Sequence, residues 1–518
     1  MSEQWRPRVN PWWIAAAVML ATFMEVLDTS IASVALPYIG GNLGATLSEA
    51  TWVLTSYLVS NAIVLPASGW LSRYFGRKRF LISCIIIFSV SSFLCGAANS
   101  LPMLIAARVL QGAGGGALQP LAQSIMLESF PPAKRGTAMA VYGVGVVCAP
   151  ILGPTLGGWL TDTWSWRWAF YINIPVSIVA VFMISLFVDD PPWIRRDKPG
   201  RIDTVGIGFM TLGLGTLQIL LDRGQEMDWF GSLWMRWLAG ISAGSLLFFI
   251  FWELRVDDPI VNLRILKNRN FAVACALFFL FGAAIYGLVT MQPLFLQTLL
   301  GYTALEAGLT VTPRGVGAFF ALFVVGALIA RLGGRRLAAF GFIVFSLSAF
   351  LFSRLSLQMA RSNIIPPNIM NGFGAGFIFV PLTTVGLATL RNDQIGNAAG
   401  IQNLVRNIGG SVGIAIVATM LERFAQAHQA FMTAPVSALN PIYLQKLGRV
   451  QGALQSHFSP ADARLRAEGL IYNMVHQQTS YWAFIELFYA FAWLGLACAL
   501  AVWLLREVKP SGPGFAAH

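Results

Sequence analysis

Apolar residues occur along this chain in blocks of about 20, separated by short polar segments. A helix of that length spans a hydrocarbon core of about 30 Å, because each residue adds about 1.5 Å. Lipid offers no partner to an unpaired backbone group, so we expect each block to be helical. The pattern predicts fourteen spans, near residues 13–38, 52–71, 80–97, 102–126, 137–160, 169–188, 204–221, 236–254, 271–298, 304–330, 337–353, 366–390, 398–422 and 482–505.

Composition supports a polytopic membrane protein. Of the 518 residues, 56% are hydrophobic and 11% are charged, whereas a soluble domain carries about 25% charged residues. The five cysteines all fall inside apolar blocks without metal-ligand spacing, which favours small core side chains. No phosphate-binding Gly-Lys-Ser/Thr loop follows a Gly-rich turn, so we expect no ATP-driven pump. We also expect neither metal nor cofactor, and a proton gradient as the energy source.

The net charge is +12, and the distribution of the positive residues predicts the orientation of the chain in the membrane. Of the 35 Lys and Arg residues, 22 lie on the side of the N-terminus, ten lie on the other side and three lie inside spans. Five of the ten belong to one long loop, where the positive-inside rule is weak. The distribution predicts that both termini are cytoplasmic.

Several strings resemble the major facilitator superfamily, and in particular its fourteen-span drug:proton antiporter branch. Arg108-Val109-Leu110-Gln111-Gly112 in span 4 is similar to that family's proton-linked motif. Similar strings occur in span 1 (27–31 and 34–37), the loop between spans 2 and 3 (69–71 and 76–79), span 5 (149–150, 153–154 and 157–158), span 6 (166–170 and 172–175) and near residues 221–224, 228–230, 301–303 and 307–309, where they resemble Emr-type multidrug exporters.

The resemblance implies an all-α integral membrane fold with two six-helix halves and two extra central helices. It divides the chain into residues 1–188 (first half), 189–203 (cytoplasmic linker), 204–254 (two additional spans), 255–506 (second half) and 507–518 (cytoplasmic tail). It also implies proton-coupled export of hydrophobic drugs across a bacterial inner membrane. The expected partners are a periplasmic adaptor and an outer-membrane channel.

Residues 423–481 form a long polar stretch between spans 13 and 14. Ser459-Pro460 is typical of a helix start, with Ser as N-cap and Pro at the first position. Asn440-Pro441 predicts a break. We therefore expect a helical periplasmic loop, and docking of the adaptor competes with a simple cap as its role.

The gating motifs include two departures from the family pattern. Arg73 stands where the loop motif usually has an acidic residue, so the contact that steadies one conformation must differ. Ala149 replaces a glycine at the start of the antiporter motif. The resemblance assigns gating or antiporter-motif roles to Arg73, Gly76, Arg77, Pro150, Gly153, Pro154, Gly157 and Gly158.

Charged residues inside spans predict the coupling site, because each costs roughly 2.5–3.5 kcal/mol at mid-bilayer. Glu25 and Asp28 lie three apart on one face of span 1. Repulsion between two ionised carboxylates makes a proton easier to hold. Asp28 lies roughly 22 Å above the inner surface and Arg108 roughly 21 Å. We hypothesise a pair that opens when Asp28 is protonated; a static pair that helps span 4 insert is the alternative.

A substrate cavity between the halves is the usual site in this fold. Arg314 and Arg406 are expected to face it, although a structural ion pair is about as consistent with the sequence. Glu25 and Asp28 favour cationic substrates whereas these arginines favour anions, so the substrate's charge stays open. Other residues assigned to the cavity are Asn61, Gln111, Gln119, Tyr286, Gln292, Asn371, Gln402 and Asn403.

Other functions were weighed against multidrug export. A transporter dedicated to one metabolite fits the same motifs. A membrane-embedded enzyme is not expected, because the sequence offers no compact nucleophile or metal constellation. A non-transporting scaffold would use the long loop, but intramembrane charges are hard to justify in one.

Overall fold

The computed structural model describes residues 7–131, 134–190, 203–391, 394–437 and 439–506. All regular secondary structure in these ranges is helical, without a strand. Most of the predicted linker (191–202) and the predicted tail (507–518) lie outside the described residues.

Fifteen longer helices form the described bundle, α1 to α15 in chain order. They are α1 (Pro11–Leu43), α2 (Trp52–Phe75), α3 (Arg77–Ala97), α4 (Leu101–Ser129), α5 (Arg135–Thr163), α6 (Trp168–Phe187), α7 (Thr204–Arg223), α8 (Leu233–Arg255), α9 (Arg269–Thr298), α10 (Pro313–Leu332), α11 (Gly334–Phe352), α12 (Arg361–Ala388), α13 (Ile395–Thr433), α14 (Pro441–Leu454) and α15 (Pro460–Ala501).

Twelve helices in the described part of the chain are long and apolar enough to cross a membrane. Two further helices, α2 and α5, are 24 and 29 residues long and coincide with the second and fifth predicted spans. The structure therefore confirms an all-helical, multi-pass protein. Fourteen crossings and cytoplasmic termini stay predictions.

The long polar stretch is largely helical, as expected. α13 and α15 continue beyond the apolar blocks and reach 39 and 42 residues. The Ser459 side chain accepts from the Asp462 amide at 3.3 Å, which confirms the predicted helix start. We call α14 together with the adjoining ends of α13 and α15 the helical extension; Leu447, Ala467 and Ile471 form its small core.

The two halves meet at the end of the bundle where α1 begins and α15 ends, which we call the termini side. There Gly69 of α2 packs against Asn397 of α13 so closely that a Cβ on the glycine would lie 2.7 Å from the Asn397 Cα. On the opposite flank, the Thr137 hydroxyl of α5 donates to the Gly326 carbonyl of α10 at 3.3 Å. The structure is thus closed at the termini side.

α7, the first of the two additional helices, connects the halves at the other end of the bundle. Thr55 of α2 donates a hydrogen bond to Asp222 of α7. Gln218, also in α7, donates to Ser411 of α13 at 2.9 Å. The Trp229 indole just beyond α7 donates to Thr419 at 3.0 Å.

An internal repeat relates α4 to α12. Gly112 of α4 packs against the carbonyl of Tyr57 in α2, and Gly372 of α12 packs in the same way against the carbonyl of Arg314 in α10. Tyr57 and Arg314 therefore occupy equivalent places in the two halves. The repeated strings are Arg108-Val109-Leu110-Gln111-Gly112-Ala113-Gly114-Gly115-Gly116 and Asn368-Ile369-Met370-Asn371-Gly372-Phe373-Gly374-Ala375-Gly376.

Candidate functional site

Asp28 and Arg108 form a salt bridge in the interior of the first half. The Arg108 Nη1 lies 2.6 Å from the Asp28 Oδ2, and both side chains are fully shielded from solvent. The other carboxylate oxygen accepts from Gln111 at 2.9 Å and from Asn173 at 2.7 Å. The contact expected from the depths of the two residues is therefore present.

Arg108 is held from several sides. Its Nε donates to the Val53 carbonyl at 3.0 Å, and its Nη1 also donates to the Gln111 Oε1 at 2.7 Å. Its guanidinium carbon lies 4.3 Å from the centre of the Tyr57 ring, a cation–π distance. Removing the charge of Asp28 would leave this buried cation without its acidic partner.

Glu25 begins a chain of contacts that reaches the second half. Its carboxylate accepts from Asn61 at 3.2 Å and from Gln119 at 2.7 Å. Gln119 in turn accepts from Arg406 of α13 at 2.8 Å. Tyr57 connects the two acids, because its hydroxyl lies 3.4 Å from Glu25 while its ring covers Arg108.

The residues assigned to the substrate cavity lie in several different places. Asn61 binds the carboxylate of Glu25, and Gln111 binds that of Asp28. Asn403 of α13 donates to Gln123 of α4 at 2.7 Å, across the interface between the halves. Arg314 donates to Gln292, within the second half. Tyr286 is 39% exposed.

The loop motif forms a buried ion pair at the termini side. Arg77 binds Glu128, and both side chains are buried. Gly76 takes a left-handed backbone (φ 85°) beside the carboxylate of Asp190, which also accepts from the Lys78 amide at 2.8 Å. Among the described residues, the Arg73 side chain forms no hydrogen bond or ion pair. One turn earlier in α2, Gly69 packs closely on Asn397.

The antiporter motif faces its own half. A side chain at Gly153 would meet Ser30, and one at Gly157 would meet Ile31, both in α1. The Pro150 carbonyl accepts from the Ser30 hydroxyl at 3.3 Å, whereas Gly158 faces open space. The helix meets the second half through Gly136 and Gly143, against Ile329 and Leu322. The Pro154 side chain lies outside the described residues.

Sequence reasoning missed three residues of the Asp28 site: Tyr57, Ser92 and Asn173. Ser92 accepts from Asn173 at 3.0 Å and from Gln111 at 3.2 Å, and so supports both amides that bind Asp28. A signal for all three was available in the sequence. Each is a polar or tyrosine residue about one and a half turns from the end of its helix that lies opposite the termini side.

This arrangement of buried, paired charges inside a two-part helical bundle agrees with sequence comparison. The sequence profile of the Major Facilitator Superfamily matches residues 18–414. The chain belongs to the Major Facilitator Superfamily. It is accordingly a multi-pass membrane protein whose structural neighbours are transporters rather than enzymes.

Similar members of the superfamily share most of the chain. The multidrug export protein EmrB of Escherichia coli (strain K12) is 36% identical over 500 residues, covering 96% of each chain. The fatty acid resistance protein FarB of Neisseria gonorrhoeae is 36% identical over 503 residues, covering 97% of each. The colistin resistance protein EmrB of Acinetobacter baumannii is 30% identical and covers 92% of this chain and 93% of its own.

Solved structures show the same fold at low sequence identity. The human organic anion transporter MFSD10 matches with a TM-score of 0.63 at 14% identity, covering 96% of this chain and all of its own. The proton:xylose symporter XylE matches with a TM-score of 0.60 at 16% identity, covering 96% and 97%.

Proposed function

We propose that this superfamily member is a proton-coupled antiporter that exports hydrophobic drugs or other toxic small molecules. The carrying observation is the fully shielded Asp28–Arg108 pair, a charge arrangement that can be broken by one proton. The names of the relatives, which refer to multidrug export and to resistance against fatty acids and colistin, support this substrate class. We further propose fourteen spans, a bacterial inner membrane location and a cytoplasmic termini side.

Proton binding at Asp28 would act through Arg108. A neutral Asp28 no longer balances the guanidinium, so the buried cation must find another partner or water. α4 carries Arg108 and α1 carries Asp28, so loss of the pair loosens the packing of these two helices. The proton would enter while the termini side is closed and leave after that side opens, opposite to the substrate.

Substrate would act on the contact between the two halves through Glu25. This acid contacts the second half through Gln119 and Arg406, so a ligand that displaces Gln119 changes the contact between the halves. Tyr57, which contacts both Glu25 and Arg108, would connect this change to the proton on Asp28. No cofactor is needed, because the proton gradient supplies the energy.

Transport by the purified protein in liposomes tests this proposal. An imposed pH gradient should drive accumulation of hydrophobic probes from a panel of cationic, neutral and anionic compounds. Accumulation that ignores the gradient for every probe contradicts antiport. Transport of a single member of the panel supports a dedicated exporter instead.

Closure at the termini side should depend on Gly69. Gly69→Val places a branched side chain where a Cβ would already lie 2.7 Å from Asn397, so α2 and α13 must separate. Spin labels at Tyr74 and Thr389, which both lie at the termini side, should move apart by several ångströms. Double electron–electron resonance measures this distance. Gly41→Val, which meets open space, should leave their distance unchanged.

The helical extension is the proposed docking site for the periplasmic adaptor, which would connect the transporter to an outer-membrane channel. Large apolar side chains are exposed on it and on the segment that leads into α14: Leu439 is 94% exposed, Ile442 74% and Leu465 72%. Exposed apolar patches of this kind mark interaction surfaces.

Charge introduced on this surface should release the adaptor without stopping transport. The double variant Ile442→Glu and Leu465→Glu changes side chains that the extension's core does not use, so the fold should persist. A co-expressed adaptor of the membrane-fusion type should no longer co-purify, while liposome transport stays at the wild-type rate. Gln455→Glu is the matched control. Undiminished co-purification with the double variant refutes docking at these residues.

A further inference from the structure

Arg314 is a half-buried cation of the second half, and it has no acidic partner among the described residues. Its Nη2 donates to the Oε1 of Gln292 and, at 3.5 Å, to the Oδ1 of Asn368. Its Nε is buried and makes no hydrogen bond to any described residue. No carboxylate in the described part of the chain forms an ion pair with it.

The internal repeat allows the surroundings of Arg314 to be compared with those of Asp28. In the first half, Gln111 donates to the carboxylate of Asp28. The equivalent residue in α12, Asn371, is fully buried, and both its amide atoms lack a hydrogen-bond partner among the described residues. Asn371 therefore lacks an acceptor of the kind that Asp28 provides to Gln111 in the first half.

The unused donors belong to one region. Gln292 binds Arg314 through its oxygen, so its nitrogen, which is buried and unpaired, lies beside the guanidinium. Asn371 lies one turn along α12 from Asn368, on the same face. An unpaired buried charge is strongly destabilising, and a carboxylate that accepts from an arginine offsets much of that penalty.

Aromatic side chains lie beside two of the polar residues that contact Arg314. A small void beside Gln292 and Asn368 is lined by Phe295, Phe352 and Phe488. The polar atoms are therefore set in an aromatic wall. Amphipathic ligand sites commonly combine these two features.

We propose that Arg314, with the amides of Gln292 and Asn371, binds the carboxylate of an amphipathic organic anion. The ligand's carboxylate would give Asn371 the acceptor that Asp28 gives Gln111 in the first half. That this anion is an exported substrate rests on the proposed function. The binding itself does not.

Equilibrium binding to the purified, full-length protein tests the subsite. The probes are 11-(dansylamino)undecanoate and its primary amide, which share an apolar body and differ in the charged group. Charged hydrogen bonds contribute enough to predict a preference for the carboxylate of roughly tenfold. Arg314→Gln should bind the two probes equally, with unchanged affinity for the amide, and Arg314→Lys should keep part of the preference. Arg361→Gln, which removes an exposed arginine at the start of α12, should behave as wild type.

A second variant guards against misfolding of Arg314→Gln. Asn371→Leu removes an unpaired buried amide, a change that is often neutral for stability, and should lower carboxylate affinity severalfold. Wild-type protein without a carboxylate preference, a preference kept by Arg314→Gln or lost in Arg361→Gln, or unchanged affinity in Asn371→Leu would each overturn the subsite. If the binding results hold while liposomes export neither probe, the proposed function fails and the subsite stands. If the amide is exported but no carboxylate preference exists, the subsite alone fails.

Discussion

Asp28→Asn is expected to reduce pH-gradient-driven transport to the level of liposomes without protein. The amide keeps the size of the side chain and an acceptor for Arg108, but it cannot bind and release a proton. Exchange of substrate across the membrane without a gradient should continue, because that process needs no net proton movement.

Two measurements separate lost coupling from lost folding in this variant. Removing one partner of a buried ion pair destabilises proteins by about 3–5 kcal/mol, so we expect a lower thermal midpoint but a folded protein that still binds substrate. Glu253→Gln is the matched control, because Glu253 is a fully buried acid of α8 that does not contact the Asp28 site. Its gradient-driven transport should match wild type. Gradient-driven accumulation by Asp28→Asn would remove Asp28 from the mechanism.

Gly372→Val is expected to have the largest effect on folding. A Cβ at Gly372 would overlap the carbonyl oxygen of Arg314, so α10 and α12 would have to separate along one of the tightest helix contacts of the second half. Overpacking of this kind costs about 3 kcal/mol or more, and small residues are what permit such contacts in membranes. Size-exclusion profiles and thermal melts should show a large loss of monodisperse protein.

Gly244→Val is the control for this substitution. Gly244 lies in the spanning part of α8 and a side chain there would meet open space, so helix propensity and hydrophobicity change without a clash. Its yield and melting temperature should match wild type. Equal yields for both variants would contradict the described contact between α10 and α12.

The sequence predicted the Asp28–Arg108 contact because depth along a spanning helix can be counted from its ends. It did not predict which polar groups complete the site. Asn61 and Gln111 were expected to line a substrate cavity, yet they bind Glu25 and Asp28. Depth fixes one coordinate of a residue, whereas the direction of its side chain depends on how the helices pack around one another.

The repeat that relates α4 to α12 can be read in the sequence. Its glycines mark close helix contacts, and its polar residues, Arg108 and Gln111 against Asn368 and Asn371, mark equivalent depths in the two halves. Arg73 shows the opposite case. The missing acid was evident from the motif, but the close packing of Gly69 on Asn397, one turn earlier in α2, is a tertiary contact that no local pattern encodes.

Simultaneous recording of substrate and proton movement tests the account's central claim most directly. Liposomes with a substrate gradient, no initial pH gradient and an internal pH-sensitive dye should show protons moving opposite to the substrate with wild-type protein. With Asp28→Asn, substrate exchange should proceed without proton movement. Substrate flux without proton flux in wild type, or an undiminished proton flux in Asp28→Asn, would contradict a proton switch at Asp28 and Arg108.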